Sequence, residues 1–249
     1  MKHPQPLLTL SDVTKEYPSQ RALTNVSLTV LPGEKIALVG PSGSGKSTLL
    51  NILVKVQPLT SGKVEIEGMP IQSIHSAKDY AKLIGLLPQQ FNLISTLSVL
   101  HNVLVGRMNE WNTVTSLWSL LFPQDQSVAL SALKKVGLED KKDFLVKHLS
   151  GGQQQRVAIA RLLVQNPRII LADEPVASLD PANAQRVLKL LIQLTTADQT
   201  LIASMHSLDL ALTYFDRIVG LKDGHIIFDL PSSKVSSKSL SELYGEEFR

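Results

Sequence analysis

The opening stretch of the chain carries short runs of β-branched or alternating apolar residues. Residues 7–10 (LLTL), 22–31 (ALTNVSLTVL) and 64–67 (VEIE) are bounded by turn signals such as Pro32-Gly33 and Ser61-Gly62, and each is expected to be a strand. Residues 36–39 (IALV) are continuously apolar, as in a strand buried on both faces. A glycine-rich turn follows, and then residues 48–54 (TLLNILV), which read as a helix. From about Phe91 to Gly151 helical patterns dominate, including residues 126–137 with Gly137 as a stop signal. Strand-like runs return at 169–172, 200–204, 217–221 and 225–228, with helical patterns between the first three, notably 182–194. Strands alternating with helices imply a mostly parallel sheet covered on both faces. The tail from Pro231 is rich in Ser and Lys and weakly helical.

These patterns make one α/β unit over residues 1–249, with a helical insertion at about 91–151 and a tail at 231–249. Composition narrows its surroundings. At 249 residues the chain buries enough surface to fold without a disulfide or metal. It has no cysteine, which excludes disulfides, thiolate zinc sites and iron–sulfur clusters. The N-terminal residues lack the long apolar core of a secretory signal, and no stretch approaches the roughly 20 apolar residues of a membrane span. A soluble, cytoplasmic chain is expected, held to a membrane only through partners. The net charge of +3 comes without a dense Lys/Arg cluster, so no nucleic-acid partner is expected. Residues 111–122 (WNTVTSLWSLLF) hold both tryptophans. They read either as core of the helical insertion or as a patch facing a membrane subunit.

Candidate chemistry begins at residues 40–47 (GPSGSGKS), which match G-x-x-x-x-G-K-[ST]. Glycines let the backbone curl so that successive N–H groups point at phosphate oxygens, and the helix starting near Lys46 adds its positive end. Lys46 then reaches the β- and γ-phosphates, and the Ser47 hydroxyl ligates Mg²⁺. The pattern arises by chance in about one chain in a hundred of this length. Its place between a buried-strand run and a helix therefore decides the matter. The run at 169–175 (IILADEP) ends in Asp173-Glu174, where parallel sheets bind ligands. Asp173 is suited to organise Mg²⁺ and Glu174 to accept a proton from the attacking water. Residues 149–164 (LSGGQQQRVAIARLLV) join a turn to a helix whose apolar face holds Val157, Ala160 and Val164. Ser150, Gly151 and Gly152 sit at its start, where free N–H groups favour an anion.

LSGGQ is the signature of ABC-type ATPases, and the chain resembles that family from about Leu7 to Phe228. The resemblance runs through the cradle (Gly40, Pro41, Ser42, Gly43, Ser44, Gly45, Lys46, Ser47, Thr48), Gln89 before the helical insertion, the signature through Gln153, the acidic strand end, the 178–180 (SLD) loop with Asp180, and His206. It implies a P-loop fold with a RecA-like parallel-sheet core, an antiparallel β subdomain and a helical insertion. It also implies that Tyr17 stacks on adenine, that Gln89 senses Mg²⁺ and the attacking water, and that His206 contacts the γ-phosphate. Two copies then pair head to tail, with ATP between one cradle and the other signature, and ATP favours the closed pair.

Residues 89–94 (QQFNLI), 99–107 (VLHNVLVGR), 148–163, 171–181 and 240–245 (LSELYG) are most similar to ATP-binding subunits of bacterial phosphonate importers. Pro88, where Phe is common, and residues 204–212 depart from that pattern. The resemblance implies transmembrane permease subunits and, indirectly, a periplasmic solute-binding protein. Phosphate or phosphite import fits the same architecture. DNA-repair relatives carry a long coiled coil, and no sustained heptad occurs here. Translation factors carry two cradles and this chain has one, while a P-loop kinase does not need LSGGQ.

Overall fold

The computed structural model describes residues 5–108, 125–177 and 179–245. The tryptophan-bearing residues 111–122 and Ser178 of the 178–180 loop lie outside the described residues.

The strands are β1 (Leu8–Tyr17), β2 (Gln20–Val30), β3 (Lys35–Val39), β4 (Ser61–Ile66), β5 (Met69–Pro70), β6 (Ile84–Leu87), β7 (Ile169–Asp173), β8 (Thr200–Ser204), β9 (Arg217–Lys222) and β10 (His225–Pro231). They form two sheets. A four-stranded antiparallel sheet runs β2-β1-β4-β5, and a six-stranded sheet runs β10-β9-β3-β8-β7-β6. The second is parallel except for β10, which pairs antiparallel to β9.

Alternation along β3 shows how the large sheet is covered. Ile36 and Leu38 pack with the small sheet and with Leu49, Leu50 and Leu53. Ala37 and Val39 face the opposite side, against the helical part of the chain. Every residue from Ile36 to Val39 is fully buried, which is why the run reads as continuously apolar.

The helices are α1 (Lys46–Leu53), α2 (Ala77–Leu83), α3 (Val99–Leu104), α4 (Gln126–Lys135), α5 (Gly151–Gln165), α6 (Pro181–Leu194), α7 (Leu208–Tyr214) and α8 (Ser237–Tyr244). Their ends follow side-chain chemistry. Ser98, Ser207 and Ser236 each accept from a backbone N–H two or three residues into the helix that follows. Helix α6 starts with Asp180 as its cap and Pro181 at the first position. Helix α4 is followed by Gly137 at φ +68, with its N–H on Lys134 O, so this glycine is the expected stop. Val157, Ala160 and Val164 of α5 are buried, as its periodicity requires.

Strand β6 is an element that the hydrophobic pattern did not single out. It is four residues long, contains Gly85 and stops at Pro88. A Cβ at Gly85 would stand 2.5 Å from the Leu162 side chain, so the glycine admits α5 against the sheet edge.

Candidate functional site

The carboxyl ends of β3, β6, β7 and β8 lead into the cradle, Gln89, the Asp173-Glu174 pair and His206. The parallel register sets Leu38 beside Ser204, Asp173 beside Ser204, and Leu87 beside Ala172. Residues far apart in sequence thus converge at one rim of the sheet, where open α/β sheets bind ligands.

The cradle is a turn whose glycines are fixed by the surrounding chain. Gly40 has φ +149, and a Cβ there would stand 1.9 Å from Leu221 O. Gly45 caps α1 at φ +104, and its Cβ would meet Ala22 O at 2.5 Å. The turn between β9 and β10 supports the loop from behind, since Gly224 N donates to Ser44 O at 3.2 Å. Ser42 and Gly43 are exposed, Pro41 and Thr48 half-buried, and Ser44 buried.

Lys46 is buried at 5% exposure and lies across the cradle. Its Nζ donates to Gly40 O at 2.8 Å, Pro41 O at 3.0 Å and Ser44 Oγ at 3.2 Å. Burial holds its pKa below the ordinary lysine value, against the opposing pull of Glu174 and Asp173.

The two carboxylates are held separately. Asp173 Oδ1 accepts from Ser47 Oγ at 3.0 Å and from Ser204 Oγ at 2.7 Å. Glu174 Oε2 accepts from Gln89 Nε2 at 2.9 Å, and Oε1 lies 2.5 Å from His206 Nε2. The Glu174 backbone sits in the left-handed region at φ +49, with its N–H on Ser204 Oγ at 2.8 Å. Gln89, Asp173, Glu174, His206, Ser47 and Lys46 therefore form one constellation.

Ser204 and Gln155 belong beside it, although no motif pointed to them. Ser204 bridges Asp173 and the Glu174 peptide, and its only sequence signal is a hydroxyl ending an apolar run. Gln155 is fully buried and donates to Pro175 O, tying α5 to the residue after Glu174. The loop after Gln89 is fastened to the helical part by the Arg161 guanidinium on Phe91 O and Asn92 O.

The donors suit a hard divalent cation. Ser47 and Asp173 offer a hydroxyl and a carboxylate 3.0 Å apart. The Gln89 amide nitrogen is on Glu174, which leaves its carbonyl oxygen as a further acceptor. Among the described residues no cluster of three or more His, Cys, Asp or Glu could hold a metal by itself. Mg²⁺ needs none, since it keeps waters and uses one or two carboxylates with substrate phosphates.

The signature stands apart from this constellation. Ser150 caps α5 with a reciprocal box: Gln153 N donates to Ser150 Oγ at 3.4 Å and Ser150 N to Gln153 Oε1 at 2.9 Å. A Cβ at Gly151 or Gly152 would meet nothing within 4 Å among the described residues. A hollow of about 810 Å³ opens beside them, with Lys134, Lys135, Arg156, Arg186 and Lys189 in its walls against Asp180. Asp180 caps α6 through Asn183 at 3.1 Å, and its bonds with Asn183 hold its carboxyl below the usual range.

Tyr17 ends β1 with its hydroxyl on Gln57 and the Lys15 ammonium 5.0 Å from its ring centre. Its strand pairs with β2, whose Ala22 and Leu23 lie against Gly45 of the cradle.

The ABC transporter family model matches residues 23–177, a span that includes the cradle, Gln89, the signature and both carboxylates. The chain belongs to the ABC transporter family. A phosphonates import ATP-binding protein of Nostoc sp. is 42% identical over 95% of this chain and 91% of its own length. One from Caulobacter vibrioides is 42% identical over 98% and 95%. Among solved structures, a dimeric ATP-binding cassette in a post-hydrolysis state with ADP and Pi superposes with a TM-score of 0.78. It is 35% identical over 90% of this chain and 98% of that one. A nucleotide-free ATP-binding cassette superposes with a TM-score of 0.80 at 27% identity, covering 96% and 94%. The two-sheet P-loop fold of this ABC ATPase is that of the family. Among its described residues no helix is long and apolar enough to cross a membrane.

Proposed function

We propose that this ABC ATPase powers import of a phosphonate-class solute and works as a head-to-tail pair of copies. Each ATP lies between the cradle of one copy and the signature of the other. The observation that carries this reading is that one chain holds two unlike half-sites: a cradle with its carboxylates, and a signature whose glycines face open space. The cationic walls beside the signature favour an anion arriving there.

The cradle residues divide the work. Lys46 exchanges three neutral acceptors for phosphate oxygens, which strengthens its bonds because both partners are then charged. The N-terminus of α1 adds unpaired N–H groups. Ser47, Asp173 and the Gln89 carbonyl would hold Mg²⁺, which supplies charge neutralisation at the β- and γ-oxygens when bound. Glu174 takes a proton from water as the water oxygen bonds to the γ-phosphorus and the bond to ADP breaks. Gln89 and His206, one on each carboxylate oxygen, fix the direction in which Glu174 can accept that proton. In this reading His206 also donates to the γ-phosphate, Ser150 to Gln153 and Asp180 close the site from the other copy, and Tyr17 stacks on adenine. In that assembly the chain sits on permease subunits at the inner membrane, served by a periplasmic solute-binding protein.

Mixing two inactive variants tests the shared site. Lys46→Ala damages the cradle and Ser150→Arg the signature. In an equimolar mixture about half of the pairs are mixed, and each holds one of its two sites with an intact cradle and an intact signature, so activity should return toward about a quarter of the native rate. A mixture as inactive as either variant alone would remove the head-to-tail model. For the solute, uptake of methylphosphonate by vesicles holding the chain with its permease and binding protein is the measure. ATP-driven uptake of another solute, with phosphonate ignored, would overturn the import reading.

A further inference from the structure

The loop that carries Gln89 is neither helix nor strand from Pro88 to Leu97, so its backbone must find partners elsewhere. Two side chains from other elements supply them. The Arg161 guanidinium, on α5, donates to Phe91 O at 2.7 Å and to Asn92 O at 2.9 Å. Asn102 of α3, fully buried, accepts the Ile94 N–H at 2.7 Å and donates to Ile94 O and Ser98 O, each at 3.0 Å. Asn92 sits in the left-handed region at φ +49, and its carbonyl is one of the two that Arg161 holds. Arg161 is itself set by close packing, since a Cβ at Gly106, just beyond α3, would stand 2.3 Å from Arg161 O. The side chain is half-buried, burial holds its pKa below the ordinary arginine value, and among the described residues no carboxylate pairs with it. A desolvated cation on neutral carbonyls is a poor device for stability alone. Its planar fork does fix two carbonyls at once, in one direction.

We propose that Arg161 is a positioning residue for the catalytic carboxylate, acting on Glu174 through the loop that carries Gln89. This rests on the reading that Glu174 accepts the proton of the attacking water. Gln89 stands two residues before Phe91, and its amide donates to Glu174 Oε2 at 2.9 Å. A loop released at Phe91 and Asn92 would swing that amide and free the carboxylate to turn. Gln155 of the same helix donates to Pro175 O, so α5 also holds the residue after Glu174. The cap of α5 is Ser150 of the signature, about 16 Å from Arg161 along the helix axis. One helix thus joins the signature half-site to the base of the other half-site in the same chain. The guanidinium acts through Gln89 and not on the water.

Arg161→Met keeps an unbranched stem and removes both bonds. In the full chain kcat at saturating ATP should fall about tenfold or more, within the hundredfold that a misplacement of about 1 Å produces. Kd for ADP should stay within about twofold, because the cradle is untouched. Arg161→Lys keeps the charge but offers one point donor for two carbonyls, so kcat should fall about threefold or more. In a Gln89→Ala background Arg161→Met should change kcat by less than about twofold, since the group it positions is gone. A merely structural role would lower the melting temperature and leave kcat of the folded chain unchanged. Native kcat in Arg161→Lys, or an equal loss from Arg161→Met with and without Gln89, overturns the positioning role. Should Arg161→Met fail to fold, Arg161→Lys decides alone. Glu174→Gln is measured alongside. If it abolishes turnover and the Arg161 variants do not lower it, the positioning role falls and the reading of the base stands. If Glu174→Gln hydrolyses at the native rate, the reading of the base fails, and the proposal with it.

Discussion

Two helix starts in this chain are proposed to receive an anion, and they owe their glycines to different causes. At the cradle, Gly40 and Gly45 are demanded from within: each has positive φ, and a Cβ at either would strike a backbone oxygen of the same chain. At the signature, Gly151 and Gly152 have neither constraint among the described residues. Gly45 opens α1 without a side-chain cap, which leaves its first N–H groups for a ligand. Ser150 and Gln153 satisfy each other at the start of α5, so that helix is stable without one. A glycine that folding does not require points to something outside the fold that needs its space. The cradle is half of a site that the chain completes internally with Asp173 and Glu174. In the proposed head-to-tail pair, the signature is the wall that completes the other copy's half.

The largest effect is expected where the internal half does its chemistry. Glu174→Gln keeps the bond from Gln89 in reach and removes the proton acceptor. Turnover should fall by about 10²–10⁴ while nucleotide binding persists, and ATP should hold two copies together on size-exclusion chromatography. Undiminished hydrolysis by this variant would take Glu174 out of its role. Next is Gly45→Ala, which tests whether the cradle glycine is demanded from within. Left-handed strain and a 2.5 Å approach to Ala22 O should cost at least about 2 kcal/mol. That lowers the melting temperature by about 4 °C or more for a chain of this size. An alanine tolerated there without loss would erase the contrast from the cradle side.

How much of this was legible beforehand follows from the kind of signal each part leaves. Motifs with fixed spacing, such as residues 40–48 and 149–153, announce themselves because backbone geometry and phosphate chemistry restrict both residue type and interval. Strands β3, β7 and β8 announce themselves because burial on both faces keeps residues 36–39, 169–172 and 201–203 apolar. Strand β6 does not, being too short for alternation to show. Ser204 is invisible for another reason: its role is created by register, which brings β8 beside β7 and is not a property of either segment alone.

The smallest expected change in stability is the most telling for the comparison. Gly151 is the first residue of α5, is not among the glycines with positive φ, and faces open space among the described residues. Gly151→Ala should therefore leave the fold unharmed. Alanine exceeds glycine in helix propensity by up to about 1 kcal/mol, less at a first turn, so the melting temperature should hold or rise slightly. Hydrolysis should nevertheless fall, because the added methyl stands where the phosphates of the other copy's nucleotide approach the α5 N–H groups. A displacement of about 1 Å at such a contact reduces rate by up to about a hundredfold. ADP affinity of the isolated chain should not move, since the cradle is untouched. A variant that is stable, binds ADP normally and fails to hydrolyse is what a wall borrowed by a second copy predicts. One that hydrolyses at the native rate would mean that Gly151 is free of any partner, and the two helix starts would differ in strain alone.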